Sequence, residues 1–140
     1  MEKEFIPYTL ALALKELGFD EPCFGSYVKL TETQNTFFMN DVVSEIDRET
    51  PLHKSLITKA PLYQQAFRWF GEKYNLDSHI HLYETHNGSK NDIYYEKKYY
   101  RYYIRKSFRS PFRLESENYK TYEEAELECL KKLIEICKKN

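Results

Sequence analysis

The stretch His79–Arg105 reads HIHLYETHNGSKNDIYYEKKYYRYYIR, and it decides the fold class that the sequence predicts. Apolar and polar side chains alternate over His79–Glu84, as they do in a half-buried strand. Asn87 and Gly88 follow, a pair that favours the tight turn of a β-hairpin. Aromatic content and this turn favour a returning strand over Ile93–Arg105. On the helical alternative, four tyrosines would share one face: Tyr95, Tyr99, Tyr102 and Tyr103.

Three segments outside the hairpin carry a helical pattern, with apolar residues recurring at spacings of three and four. They are Pro7–Leu17, Pro61–Tyr74 and Thr121–Lys138. Pro7 suits a first helical turn, and Gly18 can end the first helix in a left-handed conformation. Thr121 and Glu124 have the spacing of a capping box at the start of the last helix.

The remaining segments give shorter signals. Cys23–Leu30, Thr36–Met39 and Phe112–Glu117 are candidate strands. Gly25 suits a bulge or a close approach of another group to the backbone. Asp41–Arg48 has room for one or two helical turns. We otherwise expect Thr31–Lys59 to be an irregular excursion.

Length and composition predict a single domain over residues 1–140. A chain of 140 residues with 41% hydrophobic and 31% charged residues is typical of one soluble globular domain. We therefore predict one α+β domain, an antiparallel sheet of three to five strands with three helices packed mainly on one face. The variable excursion would occupy about 31–59.

Cysteine usage indicates a reducing, intracellular compartment. Cys129 and Cys137 would lie about 12 Å apart along one helix, too far for a disulfide. The N-terminal residues MEKEFIPYTL do not have the pattern of a signal peptide. Nor does any stretch reach the ~18 apolar residues of a membrane helix, so we expect no membrane partner.

Charge and tyrosine are concentrated in one segment. Lys90–Arg113 contains eight basic and two acidic residues, and six of the thirteen tyrosines lie in Tyr94–Tyr103. Its net charge is about +6, against about −7 for the rest of the chain. The candidate binding residues are Lys97, Lys98, Tyr99, Tyr100, Arg101, Tyr102, Tyr103, Arg105, Lys106, Arg109 and Arg113.

Three interpretations of this segment remain open. Cations attract phosphates and tyrosine rings stack on unpaired bases, which would suit nucleic acid. The same charges would suit an acidic protein. The third interpretation is an edge strand that its charges protect from aggregation, with the tyrosines half-buried under a helix.

Histidines suggest a weaker metal hypothesis. His79 and His81 would point to one face of a strand, with His86 just past its end, and such pairs can chelate zinc with a third ligand such as Glu84 or His53. Because Glu84 would lie on the opposite face, surface histidines explain the pattern more simply. We predict neither a metal nor another cofactor.

A second candidate contact is Trp69, because Trp, Tyr and Arg dominate binding hot spots. Phe67 and Phe70 fall on the core stripe of their helix, with Trp69 at its margin and Arg68 beside it. The sequence contains no catalytic motif, and the cysteines of the last helix lie on an apolar stripe. We therefore predict that the protein is not an enzyme.

Three blocks resemble short uncharacterised proteins carried by bacterial viruses and prophages. They are KEFIPYTLALALKELGFDEPCF (Lys3–Phe24), APLYQQAFRWFGEKY (Ala60–Tyr74) and YKTYEEAELECLKKLIEI (Tyr119–Ile136). The resemblance implies a genetic setting and no mechanism. The hairpin followed by TYEEAELECL also resembles small DNA-binding modules of the integrase-arm kind, whose sheet lies in the major groove.

These observations lead to two functional hypotheses. The first is a small non-enzymatic binding protein of phage or prophage origin, acting in the bacterial cytoplasm on a host protein or as an accessory factor. The alternative is a nucleic-acid-binding protein that uses the basic, tyrosine-rich hairpin. The oligomeric state is open.

Overall fold

The computed structural model describes residues 2–87, 95–106 and 112–139, of which 2, 85–87 and 95–97 are described by their backbone alone. Within those ranges the chain forms four α-helices and two three-stranded antiparallel sheets. The helices are α1 (Tyr8–Glu16), α2 (Asn40–Glu49), α3 (Tyr63–Tyr74) and α4 (Tyr122–Lys138). The strands are β1 (Gly25–Thr31), β2 (Gln34–Met39), β3 (Ile57–Ala60), β4 (Leu76–Asn87), β5 (Tyr95–Lys106) and β6 (Arg113–Glu115).

The α+β class is confirmed, but the prediction of one sheet with three helices is wrong. The additional elements lie in residues 31–59, where a candidate strand at Thr36–Met39 and one or two helical turns over Asp41–Arg48 were expected within an otherwise irregular excursion. That segment contains β2, α2 and β3, and both strands pair with β1 to form the sheet β2–β1–β3. These strands are short, and β2 is partly polar, so their local pattern is weak. Their pairing is set by non-local interactions that the segment alone does not reveal.

The chain divides into two compact units, Met1–Ala66 with Cys137–Asn140, and Phe67–Ile136. The boundary falls within α3. The expectation of a single domain stays a prediction. No helix in the described ranges has the length and apolarity needed to cross a membrane.

The first unit is organised around β1. Gly25 lies opposite Met39 and Ala60, and a side chain at this glycine would come 2.5 Å from the ring of Phe37. The predicted close approach at Gly25 is therefore confirmed. Tyr27 is buried and donates a 2.8 Å hydrogen bond to the carbonyl of Ile6.

Helix α1 lies in this unit and ends as predicted. Gly18 has a φ of 97°, and the Phe19 N–H donates to the carbonyl of Leu14 at 2.9 Å. Phe19 is thereby turned back toward the helix, and only 5% of it is exposed. The chain therefore reverses its direction directly after α1.

The second unit contains the predicted hairpin. β4 and β5 pair antiparallel without a register slip from Leu76 opposite Lys106 to Asn87 opposite Tyr95, so the two strands are confirmed. The turn, with Gly88, lies outside the described residues. β6 pairs with the other side of β5, which makes β5 the central strand. The interpretation of this basic strand as an edge is therefore wrong, whereas the burial expected for its tyrosines holds for Tyr102 and in part for Tyr100, which contacts α4.

Helix α4 begins at the predicted cap. The Thr121 hydroxyl accepts a hydrogen bond from the Glu124 N–H at 3.1 Å, and the Glu124 carboxylate accepts one from the Lys120 N–H at 3.3 Å. Its apolar stripe is buried, with Cys129 fully enclosed. Burial raises the pKa of the Cys129 thiol to about 12, which keeps it protonated and unreactive.

Candidate binding face of the second sheet

The strand register divides the predicted site residues between the two faces of the sheet β4–β5–β6. Residues directly opposite one another in an antiparallel pair share a face. His79, His81 and Tyr83 lie opposite Tyr103, Arg101 and Tyr99. We call these six residues the aromatic face. The two histidines are exposed and the other four side chains are half-buried.

The rings of the aromatic face contact one another in pairs. Tyr83 and Tyr99 stack with centroids 5.3 Å apart and planes 10° apart. His79 and Tyr103 stack at 5.0 Å and 12°, while His81 meets Tyr83 edge-on at 4.8 Å. Cross-strand aromatic pairs of this kind stabilise a sheet and restrict the rings that form them.

Arg101 is fixed in the middle of this array. Its guanidinium carbon lies 5.4 Å from the ring centroids of both Tyr83 and Tyr99. Its Nη1 donates to Glu115 Oε1 at 2.6 Å, and its Nε donates to Asn118 Oδ1 at 2.6 Å. A planar guanidinium suits this combination of stacking and forked hydrogen bonding. Much of the Arg101 charge is therefore already compensated inside the protein.

Hydroxyl groups extend the same network. Tyr103 donates a 2.8 Å hydrogen bond to Glu115 Oε1, and the hydroxyls of Tyr83 and Tyr103 are hydrogen-bonded to each other. The hydrogen bond with Tyr83 is the main cause that raises the pKa of Tyr103, followed by desolvation and the bond to Glu115. The Arg101 guanidinium, and then Tyr103, lower the pKa of Glu115. At neutral pH the network thus contains the Glu115 carboxylate, the Arg101 guanidinium and the neutral phenol of Tyr103.

Two further arginines lie next to the aromatic face on the same side of the sheet. Arg105 on β5 is directly opposite Arg113 on β6, and both side chains are exposed. We call them the arginine pair. Asp77 is opposite Arg105 on β4, yet among the described residues no carboxylate forms an ion pair with either guanidinium. Like charges placed directly opposite repel each other, so this pair favours an anionic partner.

The other predicted residues of β5 lie on the opposite face. Tyr102 is only 7% exposed, and burial raises its pKa to about 12. Tyr100 contacts Tyr122 of α4 edge-on at 6.1 Å, and Tyr102 stacks with Tyr119. Lys98 forms a 3.8 Å ion pair with Glu84, and Lys106 is exposed at the strand end. The four central tyrosines therefore do not form one platform.

The remaining candidates are distributed as follows. Trp69 is 6% exposed and contacts Phe70 edge-on at 5.1 Å, which leaves little of its ring accessible as an anchor. Lys97 lies in β5, but its side chain, like that of His86, is outside the description, and so is the whole of Arg109. His53 belongs to the first unit, where its Nδ1 accepts from the Ser55 N–H.

His79 and His81 of β4 do not form a metal site with the neighbours whose side chains the structure describes. Within the described ranges, no three His, Cys, Asp or Glu side chains converge as a metal site would require. His79 and His81 do share a face, as predicted, but each is engaged with a tyrosine ring. Glu84 lies on the other face, beside Lys98.

Glu115 and Asn118 are functional candidates that the sequence pattern does not reveal. They follow the basic segment and orient Arg101, with Glu115 also accepting the Tyr103 hydroxyl. The sequence holds no local signal for this, because the contact depends on β6 pairing with β5. The division of the tyrosines between the two faces of the sheet can be predicted from the sequence, since alternate residues of a strand point to opposite faces.

Comparison with known proteins adds no family: no protein-family model, curated protein or solved structure matches the chain.

Proposed function

We propose that this chain is a non-enzymatic binding protein whose aromatic face and arginine pair dock onto an acidic protein surface. The observation that carries the proposal is the network around Arg101, which holds tyrosine rings and a guanidinium in place on an accessible sheet face. Tyrosine and arginine are among the residue types that dominate protein-binding hot spots. The resemblance to phage and prophage proteins supports a bacterial host protein, met in the host cytoplasm, as the partner.

Preorganisation favours a protein partner. Binding immobilises side chains, at a cost of about 0.5–1.5 kcal/mol for each rotamer-rich side chain that must be ordered. Tyr83, Tyr99 and Tyr103 are already held by stacking or hydrogen bonds, and Arg101 by Glu115 and Asn118. Little of that cost remains when a partner arrives.

Charge supports an acidic partner. The arginine pair presents two exposed guanidinium groups that have no ion pair in the described part of the chain. A carboxylate placed between them would replace a repulsion by two charge-assisted hydrogen bonds. Because Arg101 is already bound to Glu115, it would contribute to binding mainly through its contact surface and less through its charge.

The neighbouring edge also favours a protein. β4 is an edge strand of twelve residues, and among the described residues no strand pairs with its outer side. It contains neither lysine nor proline, which commonly protect such edges. A partner could add a strand here while its side chains reach the aromatic face.

The test is affinity capture from a bacterial lysate, followed by titration with the purified partner. Arg105→Glu combined with Arg113→Glu should weaken binding at least about tenfold, because both contacts become repulsive. Lys106→Glu combined with Lys120→Glu is the matched control, since it makes the same charge change at exposed positions away from the aromatic face. Equal binding by the two double variants, with both folded, would refute the proposal.

Single-stranded nucleic acid is the second candidate, and the arginine pair beside half-buried tyrosine rings is what favours it. A mixed-sequence oligonucleotide should then bind with a steep dependence on salt that the arginine double variant reduces. Weak binding at low salt that is equal in both double variants would exclude this candidate and leave the protein partner.

A further inference from the structure

A cavity of about 360 Å³ lies in the first unit, whereas the aromatic face belongs to the second. Its apolar lining comes from Ala11, Phe19 and Ile57. Ala11 is 1% exposed and Phe19 5% exposed, so the apolar wall belongs to the core. Pockets that bind small molecules start at about 300 Å³ and are largely apolar with a few placed polar groups.

The polar part of this cavity is cationic. Three lysines and one aspartate contribute to its lining: Lys15, Lys54, Lys59 and Asp20. The lysines come from three separate elements, α1, the short 3-10 turn Lys54–Leu56 and β3. A concave site lined by one sign of charge attracts ions of the opposite sign.

Two of the three ammonium groups are held in place. Lys15 Nζ donates to the carbonyl of Ile57 at 3.1 Å. Lys59 Nζ bonds Asp20 twice, at 2.8 Å to Oδ1 and 3.2 Å to the backbone carbonyl. The Lys54 side chain is exposed, and its ammonium group makes no hydrogen bond or ion pair among the described residues, acting on Asp20 only through space. An ammonium group carries three donors, so donors remain on each lysine.

We propose that this cavity binds a small organic acid in which one carboxylate is joined to a compact apolar or aromatic group. The apolar group would contact Phe19, Ile57 and Ala11. The carboxylate would meet Lys54 and Lys15, because Asp20 already occupies Lys59. An uncharged hydrocarbon would offer no acceptor to the remaining donors of Lys15 and Lys54, and a bare inorganic anion would leave the apolar wall uncovered.

The test is an NMR titration of the labelled full-length protein with 3-phenylpropionate. Saturable shifts should map to the amides of Ala11, Phe19 and Ile57, with a Kd in the millimolar range or below. The neutral 3-phenylpropionamide and inorganic phosphate should each bind at least about tenfold more weakly. No saturation by about 10 mM, equal binding of acid and amide, or shifts confined to another region would overturn the proposal.

Lysine variants locate the carboxylate. Lys54→Gln combined with Lys15→Gln should weaken binding at least about tenfold, while Lys29→Gln, an exposed lysine of β1 outside the cavity, should leave it unchanged. Because these side chains are exposed, the variants should keep the wild-type amide spectrum outside the cavity. Equal loss of affinity in the Lys29→Gln control, or none in the double variant, would refute the assignment.

Discussion

Arg101 illustrates how a single residue can give opposite impressions in sequence and in structure. In the sequence it belongs to a cationic run that attracts phosphates. In the structure its guanidinium lies 5.4 Å from the ring centroids of both Tyr83 and Tyr99 and is hydrogen-bonded to Glu115 and Asn118. Its role is therefore to order the aromatic face, and the accessible charge belongs to the arginine pair.

The coupling between Arg101 and Glu115 can be measured by a double-mutant cycle in urea. Arg101→Ala and Glu115→Ala should each lower stability, by less than Phe70→Ala does in the core, and the double variant should lose less than the sum. Because Arg101 lowers the pKa of Glu115, the coupling should be present above its ordinary value of 4.5 and disappear as the pH falls through the lower folded value. Additive losses at neutral pH would contradict this network.

Tyr103 predicts a second pH dependence, at the alkaline end. Its pKa is raised in the folded protein, so the unfolded chain loses this proton first, near pH 10. The stabilisation of the folded protein by Tyr103 is complete below pH ~10, and it is lost as the pH rises toward the pKa of Tyr103 in the folded protein. Tyr103→Phe should therefore reduce the fall in the urea midpoint between about pH 9 and 11. An unchanged pH slope in the variant would count against the hydrogen bonds assigned to Tyr103.

At the scale of elements, the sequence predicted those strands and helix ends that depend on interactions between neighbouring residues. The hairpin strands, the cap of α4 and the end of α1 at Gly18 all follow from neighbouring residues, and the structure confirms them. The sheet β2–β1–β3 was not predicted, although Cys23–Leu30 and Thr36–Met39 were candidate strands, because the pairing of β1 with β2 and β3 depends on non-local contacts. The position of β5 between two strands also depends on a distant segment, β6. That position contradicts the predicted edge and gives β5 the two faces on which the proposed binding site depends.

The cap of α4 gives a direct stability prediction. Thr121→Ala removes the acceptor for the Glu124 N–H and should cost about 1 kcal/mol of unfolding free energy. Lys120→Ala, an exposed neighbour that contributes to the cap only through its backbone, should change it little. The measurement is urea denaturation followed by circular dichroism. Equal losses in both variants would show that the cap does not contribute specifically.

Gly25 gives the corresponding prediction for the first sheet. Gly25→Ala would place Cβ 2.5 Å from the Phe37 ring, so the ring must move, at a cost of about 1–3 kcal/mol. In a Phe37→Leu background, Gly25→Ala should cost less stability than it does in the wild type, because the smaller side chain leaves more room for Cβ. Thermal unfolding of the four proteins measures this. A Gly25→Ala variant as stable as the wild type would contradict the close approach.

At the scale of the whole molecule, the formal charge of −1 conceals a strong local asymmetry. The structure shows which positive charges of this segment are compensated. Arg101 and Lys98 are paired with carboxylates, while Arg105 and Arg113 have no ion pair among the described residues. This combination of a polar, aromatic sheet face with two exposed arginines is why we propose a shaped acidic protein surface as the partner, in preference to a uniform polyanion. On this account the two sides of β5 carry different functions, burial on one and recognition on the other.

Site-specific photo-crosslinking in bacterial cells tests this claim most directly. A photoreactive amino acid would replace His81 on the aromatic face, or Lys106 on the opposite face as the control. The account predicts a discrete adduct from position 81 that protease destroys and nuclease does not, with no such adduct from position 106. No adduct from position 81, the same adduct from both positions, or an adduct that nuclease removes would contradict it.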